Sequence, residues 1–181
     1  MFYWSDYCGR DGRSEVKQQI IISGTGGQGV LFLTRLLAQA GLEMGMEVLT
    51  SETHGMAMRG GTVISHVKVG SFQSPLVMRG RADTGLFLHE SNLEFHGDFI
   101  KKGGISIVNA ETRGSSLNID ATGAAREIGS LVITNLVLLG YAIKNEALFC
   151  DASVVEGVIK KVSQPRNLDM NLRGFEKGLH S

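Results

Sequence analysis

The 181-residue sequence has no excess of either charge. Lys+Arg and Asp+Glu both total 18, so the formal net charge is zero. The global basicity of a nucleic-acid binder is missing, and only a local basic patch could serve such a partner. Cysteine is scarce. Cys8 and Cys150 lie far apart with no CxxC spacing, and reduced thiols in a cytoplasmic protein are expected. Two thiols cannot supply the four ligands of a typical iron–sulfur cluster. No two histidines have metal-ligand spacing, so no metal is expected on this chain. Ser51, Ser65 and Ser91 lack the flanking glycines of a nucleophile elbow. There is also no long apolar run. The most apolar stretch, Leu131 to Ile143, is too short to cross a bilayer and is interrupted by Asn135 and Gly140. The N-terminal MFYWSDYCGRDGRSEVKQQ has no basic start followed by an apolar core, so neither a signal peptide nor a membrane anchor is expected.

What remains is enough apolar residues, 43%, to build one soluble domain with a sizeable core. Residues 1–18 show no periodicity. Their aromatic cluster, Phe2, Tyr3, Trp4 and Tyr7, suits either a loose extension or a docking arm. From Gln19 the pattern is regular. Gln19 to Ser23 reads as a buried strand, and GTGGQG follows. Val30, Leu33, Leu37, Ala40 and Met44 then recur at helical steps, and Gly45 ends the helix. Glu47 to Glu52 is a second strand, parallel to the first. Thr62 to Gly70 alternates, with His66 and Lys68 opposite Val63, Val67 and Val69. That predicts a half-exposed, antiparallel edge strand. Thr84 to His89 and Ile105 to Ala110 are further strands, with a short helix near Asn92 to Lys101 between them. A sixth strand lies near Leu117 to Ala121. The pattern turns helical from Ser130. Ser153 and Glu156 form a capping box, and Pro165 precedes a last helix near Leu168 to Gly178. The expected fold is one α/β, Rossmann-like domain over residues 19–181. Its central sheet is largely parallel with one or more antiparallel edge strands, and its helices gather in the C-terminal third.

Two glycine-rich segments stand out. Gly24, Gly26 and Gly29 satisfy GxGxxG, placed after a strand and opening a helix, where free N–H groups suit a phosphate. Glu52 follows Gly29 by roughly 20 residues, the spacing of a ribose-binding acid. A dinucleotide site and a tight βα turn that binds nothing both fit. The second segment, SETHGMAMRGG from Ser51 to Gly61, suits no helix, strand or common turn. It follows the carboxyl end of the second strand, where α/β ligand sites collect. His54, Arg59, Gly60 and Gly61 could meet an anion, whereas Met56 and Met58 could pack on another chain. His89-Glu90 could do acid–base work but more simply caps the next turn. His66 reads as an exposed strand residue and His96 as a helix residue.

GTGGQGVLFLTRLLAQA (24–40) followed by SETHGMAMRGGTVISHVKVG (51–70) resembles the gamma-type subunit of 2-oxoacid:ferredoxin oxidoreductases. The HGMAMRGG form is most similar to the beta subunit of the indolepyruvate enzymes. ADTGLFLHESNLEF (82–95), KKGGISIVNAE (101–111), ITNLVLLGYAI (133–143) and NLRGFEKG (171–178) extend the resemblance to the C-terminus. The resemblance implies an accessory subunit of an enzyme that oxidatively decarboxylates an aryl 2-oxoacid to an acyl-CoA. Thiamine diphosphate, magnesium and the iron–sulfur clusters would sit on a large partner subunit that passes electrons to ferredoxin. This chain has neither the cysteines for a cluster nor a thiamine-binding GDG motif with its downstream asparagines. No residue here is assigned to catalysis. Coenzyme A is the ligand that Gly24, Gly26, Gly27, Gln28 and Gly29, with His54, Arg59, Gly60 and Gly61, would help to hold. Two alternatives stand beside this reading: a free-standing NAD(P)-binding oxidoreductase using Glu52, and a structural subunit with no ligand of its own.

Overall fold

The computed structural model describes residues 16–54, 61–111 and 117–181. Six strands form one mixed sheet in the order β2-β3-β1-β4-β5-β6. They are β1 (Gln18–Thr25), β2 (Val48–His54), β3 (Thr62–Val69), β4 (Ala82–Phe87), β5 (Ile100–Asn109) and β6 (Leu117–Ile119). β1, β4, β5 and β6 pair in parallel, while β3 runs antiparallel to both β1 and β2. The helices are α1 (Val30–Glu43), α2 (Glu90–His96), α3 (Ala121–Ile128), α4 (Thr134–Lys144), α5 (Ala152–Val162) and α6 (Leu168–Leu179). The α/β fold and its C-terminal gathering of helices match the expectation.

The position of the antiparallel strand differs. β3 lies one place in from the edge, and β2 is the edge strand. β1 and β2 point the same way but do not touch, because β3 fills the gap between them. This also weakens the ribose reading of Glu52. An inserted strand moves β2 one further spacing away, to about 10 Å from β1. Glu52 itself is exposed.

Period-2 alternation decides which side chains each face receives. Ile20 and Ile22 of β1 and Val67 and Val69 of β3 join the main core with α1, α4 and α5. Ile21, Ile64, Ala82, Phe87 and Val108 form a smaller cluster on the opposite face, where Val77 and the partly buried Leu93 and Phe99 cover them. That cover explains one correction. His66 and Lys68 are not exposed: they are 4% and 7% accessible. Alternation correctly put them opposite the valines but could not show that the second face is also roofed.

Two further differences are local. α3 (ATGAAREI) was not anticipated, because it is short and carries a glycine. Asp120 starts it by accepting from the Gly123 amide at 2.6 Å, and Ala121 and Ala125 are buried. α5 is capped by Asp151, not Ser153. Asp151 Oδ1 accepts from the Val154 amide at 3.0 Å and from Ser153 Oγ at 2.7 Å. The helix begins two residues earlier than the capping box would place it, so its N3 amide is that of Val154, and the Asp151 carboxylate takes it.

α4 and α6 cross with almost no space between their backbones. A Cβ on Gly140 would lie 2.1 Å from the Phe175 carbonyl oxygen, and one on Gly178 would lie 2.1 Å from that of Val137. This contact explains Gly178 of NLRGFEKG, while Gly174 is packed against Ile133 just before α4. The crossing also fixes α4, whose N-terminus borders the site described next.

Candidate functional site

The carboxyl ends of β1 and β4 open beside the N-terminal ends of α1, α3 and α4. A cleft of about 320 Å³ lies there, lined by Gly27, Gln28, Leu88, Thr122, Leu131, Val132 and Thr134. Among the described residues, none in the lining carries a charged side chain. Helix N-termini therefore supply the positive potential, since their leading N–H groups lack intrahelical partners. α1 has no acidic residue in its first turn to oppose this, whereas the Asp120 cap offsets it at α3.

The glycines of GTGGQG have separate jobs. Gly24 is packed: an added Cβ would meet Val30 Cγ2 at 2.8 Å and Leu88 Cδ1 at 2.9 Å. Gly29, at φ 83°, starts α1, and a Cβ there would lie 2.1 Å from Asn135 Nδ2. Among the described residues, Gly26 and Gly27 face open space. The nearest atom to a Cβ on Gly26 is the Gly61 carbonyl oxygen at 3.9 Å, and there is nothing within 4 Å of one on Gly27. Only these two leave room for a ligand to approach. Gln28 braces the turn. Its Oε1 accepts from the Thr25 amide at 2.6 Å and from Thr25 Oγ1 at 3.1 Å, while Nε2 reaches the Leu88 carbonyl at 3.5 Å.

The structure brings the two glycine-rich segments together at one point. The Gly26 amide donates to the Gly61 carbonyl at 3.1 Å. Since the Thr25 and Gln28 amides bond inside the turn and the Gly26 amide bonds Gly61, the donors left for an anion among the described residues lie at Gly27 and in the first turn of α1. The His54 backbone ends β2 opposite Val63. Met56, Met58, Arg59 and Gly60 lie outside the described residues. His89 is the N-cap of α2, its Nδ1 accepting from the Ser91 amide at 3.2 Å, as the capping reading predicts.

Sequence reasoning missed a polar cluster beneath α2. Ser23 Oγ, fully buried, lies 2.8 Å from His96 Nδ1. The Phe99 ring sits 5.7 Å from the His66 ring and 6.1 Å from that of His96. Arg79 stacks 5.0 Å above Phe99 and pairs with Asp98. Burial, then the neighbouring His96 and Lys68, holds His66 below the usual histidine range. Burial, then Arg79, lowers His96. Burial also lowers Lys68, whose ammonium lies 5.0 Å from the Phe72 ring. No spacing signal could announce this cluster, because Ser23, His66 and His96 come from three separate elements. Cys150 is buried and free, and burial, with Asp151 adding, pushes its thiol up to about 12. Among the described residues, no group of three or more His, Cys, Asp or Glu is placed to hold a metal ion.

The sequence model of the pyruvate ferredoxin/flavodoxin oxidoreductase family matches residues 19–181. The chain belongs to this family. Curated relatives include the indolepyruvate oxidoreductase subunit IorB of Pyrococcus horikoshii, 30% identical over 88% of this chain and 93% of its own length. The IorB of Archaeoglobus fulgidus is 28% identical over 90% of this chain and 94% of its own length. Among solved structures, a keto/oxoacid ferredoxin oxidoreductase gamma subunit from Geobacter sulfurreducens superposes with a TM-score of 0.71 at 22% identity, covering 91% of this chain and 99% of its own. The 2-oxoglutarate:ferredoxin oxidoreductase of Magnetococcus marinus, solved with 2-oxoglutarate, coenzyme A and succinyl-CoA bound, gives 0.73 at 22% identity. It matches 91% of this chain but only 30% of its own. These relatives are small subunits, or parts, of 2-oxoacid oxidoreductases, so the accessory-subunit expectation holds.

Proposed function

We propose that residues 19–181 form the gamma-type accessory domain of a 2-oxoacid:ferredoxin oxidoreductase, with residues 1–18 as an extension to it. The substrate class is indolepyruvate or a related aryl pyruvate. The match to IorB subunits over nearly the whole of both chains carries this reading. The large partner subunit supplies thiamine diphosphate, magnesium and iron–sulfur clusters. The 2-oxoacid loses carbon dioxide, its electrons pass to ferredoxin, and the acyl group leaves on coenzyme A. Thiamine diphosphate contributes carbanion stabilisation on that subunit. Among the described residues no helix is long and apolar enough to cross a membrane, and we place the protein in the cytoplasm.

This chain's own task is to hold part of coenzyme A. The open backbone at Gly26 and Gly27, beside the N-terminus of α1, suits a pyrophosphate. Arg59 and Gly60 would complete that wall, with His54 and Gly61 flanking it. The cleft is small for such a ligand, which fits a site shared with a second chain. Leu131 and Val132 support the same reading, being 57% and 81% exposed at the cleft's rim. An apolar rim of this kind suits a covering partner.

Co-purification with the large subunit tests the assignment. Aryl-pyruvate-dependent reduction of a low-potential acceptor should require both chains and coenzyme A. Turnover by this chain alone would overturn it. So would tight NADH binding that depends on Glu52.

A further inference from the structure

Asn109, the last residue of β5, does not line the cleft and is 7% exposed. Its carboxamide holds two residues that do. Nδ2 donates to the Leu88 carbonyl at 3.0 Å and to Thr122 Oγ1 at 2.8 Å. Oδ1 accepts from the Thr122 amide at 3.2 Å. The Thr122 N–H can only donate, so Oδ1 must face it and Nδ2 must face the Leu88 oxygen. That oxygen also receives Gln28 Nε2 from the glycine turn at 3.5 Å. One buried side chain thus joins the end of β4, the first turn of α3 and, through Leu88 and Gln28, the loop after β1.

We propose that Asn109 is the positioning residue of the cleft, fixing Leu88 against Thr122 and so setting the gap between the glycine turn and α3. The identity of the ligand, coenzyme A, rests on the function proposed above; the geometry does not. No other side chain of this shape does the same work. Aspartate has no donor for the Leu88 oxygen and would bring a buried charge. Leucine fills the space but leaves the Leu88 carbonyl and the Thr122 amide without this partner.

The test uses the full chain with Asn109→Leu, Asn109→Asp, Thr122→Val and Thr122→Ser. Amide exchange is followed by NMR, and coenzyme A affinity by calorimetry at a temperature where each variant is folded. Asn109→Leu should speed exchange at both Thr122 and Thr25 by about tenfold or more while leaving Val67 in β3 unchanged, and should weaken coenzyme A binding by about tenfold. Asn109→Asp should do the same, whereas Thr122→Ser, which keeps the hydroxyl that Nδ2 reaches, should retain wild-type exchange at both positions. Faster exchange at Thr122 alone would overturn the proposal, because the glycine turn would then be uncoupled. Uniformly faster exchange across the sheet would overturn it too, as a general loss of stability. If neither Asn109 variant folds, Thr122→Val carries the same exchange prediction with a near-isosteric change. If wild type binds no coenzyme A even with the large subunit, the ligand assignment fails, and the exchange pattern still decides the role of Asn109.

Discussion

Replacing Gly26 with alanine should separate ligand contact from folding. The added methyl has 3.9 Å to its nearest neighbour, the Gly61 carbonyl oxygen, and Gly26 is not among the glycines with positive φ. The Gly26 amide remains free to donate to Gly61. Alanine also restricts the unfolded chain, which stabilises compatible sites by about 0.4–1 kcal/mol. For a domain of this size that is a rise of a few degrees in Tm at most. Gly27→Ala differs by its backbone alone. At φ 97°, with open space around it, alanine costs about 1–2 kcal/mol of left-handed strain, or roughly 2–8 °C in Tm at 2–4 °C per kcal/mol. Gly29→Ala adds to a similar strain the overlap with Asn135 Nδ2 and should cost more than either. If an anion sits on the open wall, the Gly26 methyl occupies its contact surface. Affinity for coenzyme A should then fall by about tenfold or more, equivalent to about 1.4 kcal/mol, with Tm unchanged or slightly raised. Calorimetry paired with thermal unfolding reads both quantities. An unchanged Kd in Gly26→Ala would refute the idea that this turn touches the ligand.

Three other outcomes follow from separate parts of the fold. Gly178→Ala should destabilise by about 3 kcal/mol or more, because the new methyl meets the Val137 carbonyl at 2.1 Å and neither backbone can move freely; thermal unfolding should show a loss of roughly 6–12 °C. His66 and His96 are held below the ordinary value of 6.5 in the folded protein. The unfolded chain therefore binds more protons, so their contribution is complete above pH 6.5 and is lost as pH falls below it. Denaturant unfolding from pH 8 to 5 should show that acid limb, and His66→Leu should flatten it; an identical slope in the variant would remove His66 as its source. In a Cys8→Ser background, Cys150 should resist a thiol reagent at pH 8 until denaturant is added, since a thiol titrating near 12 is almost wholly protonated there.

Where one element's own residues decide its state, the sequence was readable. α1 buries Val30, Leu33, Leu37 and Ala40 on the stripe that its spacing announces. Leu168–Leu179 follows Pro165 as expected. Misreadings arose where a distant element decides. β3 alternates like a half-exposed strand, and only the chain near Val77 and Phe99 makes it a buried one. α3 depends on the cap at Asp120 and on packing against α4 and α6, neither of which leaves an apolar period long enough to detect. Asn109 illustrates the same limit in the site. Its partners, Leu88 and Thr122, are joined by the topology of β4, β5 and α3, and nothing in ISIVNA marks it.

GTGGQG itself was legible as a turn, but a motif does not tell identical residues apart. Gly24 gives way to Val30 and Leu88, Gly29 gives way to Asn135, and Gly26 and Gly27 give way to nothing among the described residues. Two of the three glycines that made the motif visible, Gly24 and Gly29, are thus explained by packing, and the open backbone at Gly26 and Gly27 is what a ligand can use. Because the turn's own amides are largely spent on Thr25, Gln28 and Gly61, the open backbone by itself is a weak anion trap. It needs a cation and a cover. Arg59, in the segment that reaches Gly61, is the cation nearest to hand in sequence, and the exposed Leu131 and Val132 mark the side on which a cover would close. On the function proposed above, a second chain completes this site, which is the behaviour expected of an accessory subunit.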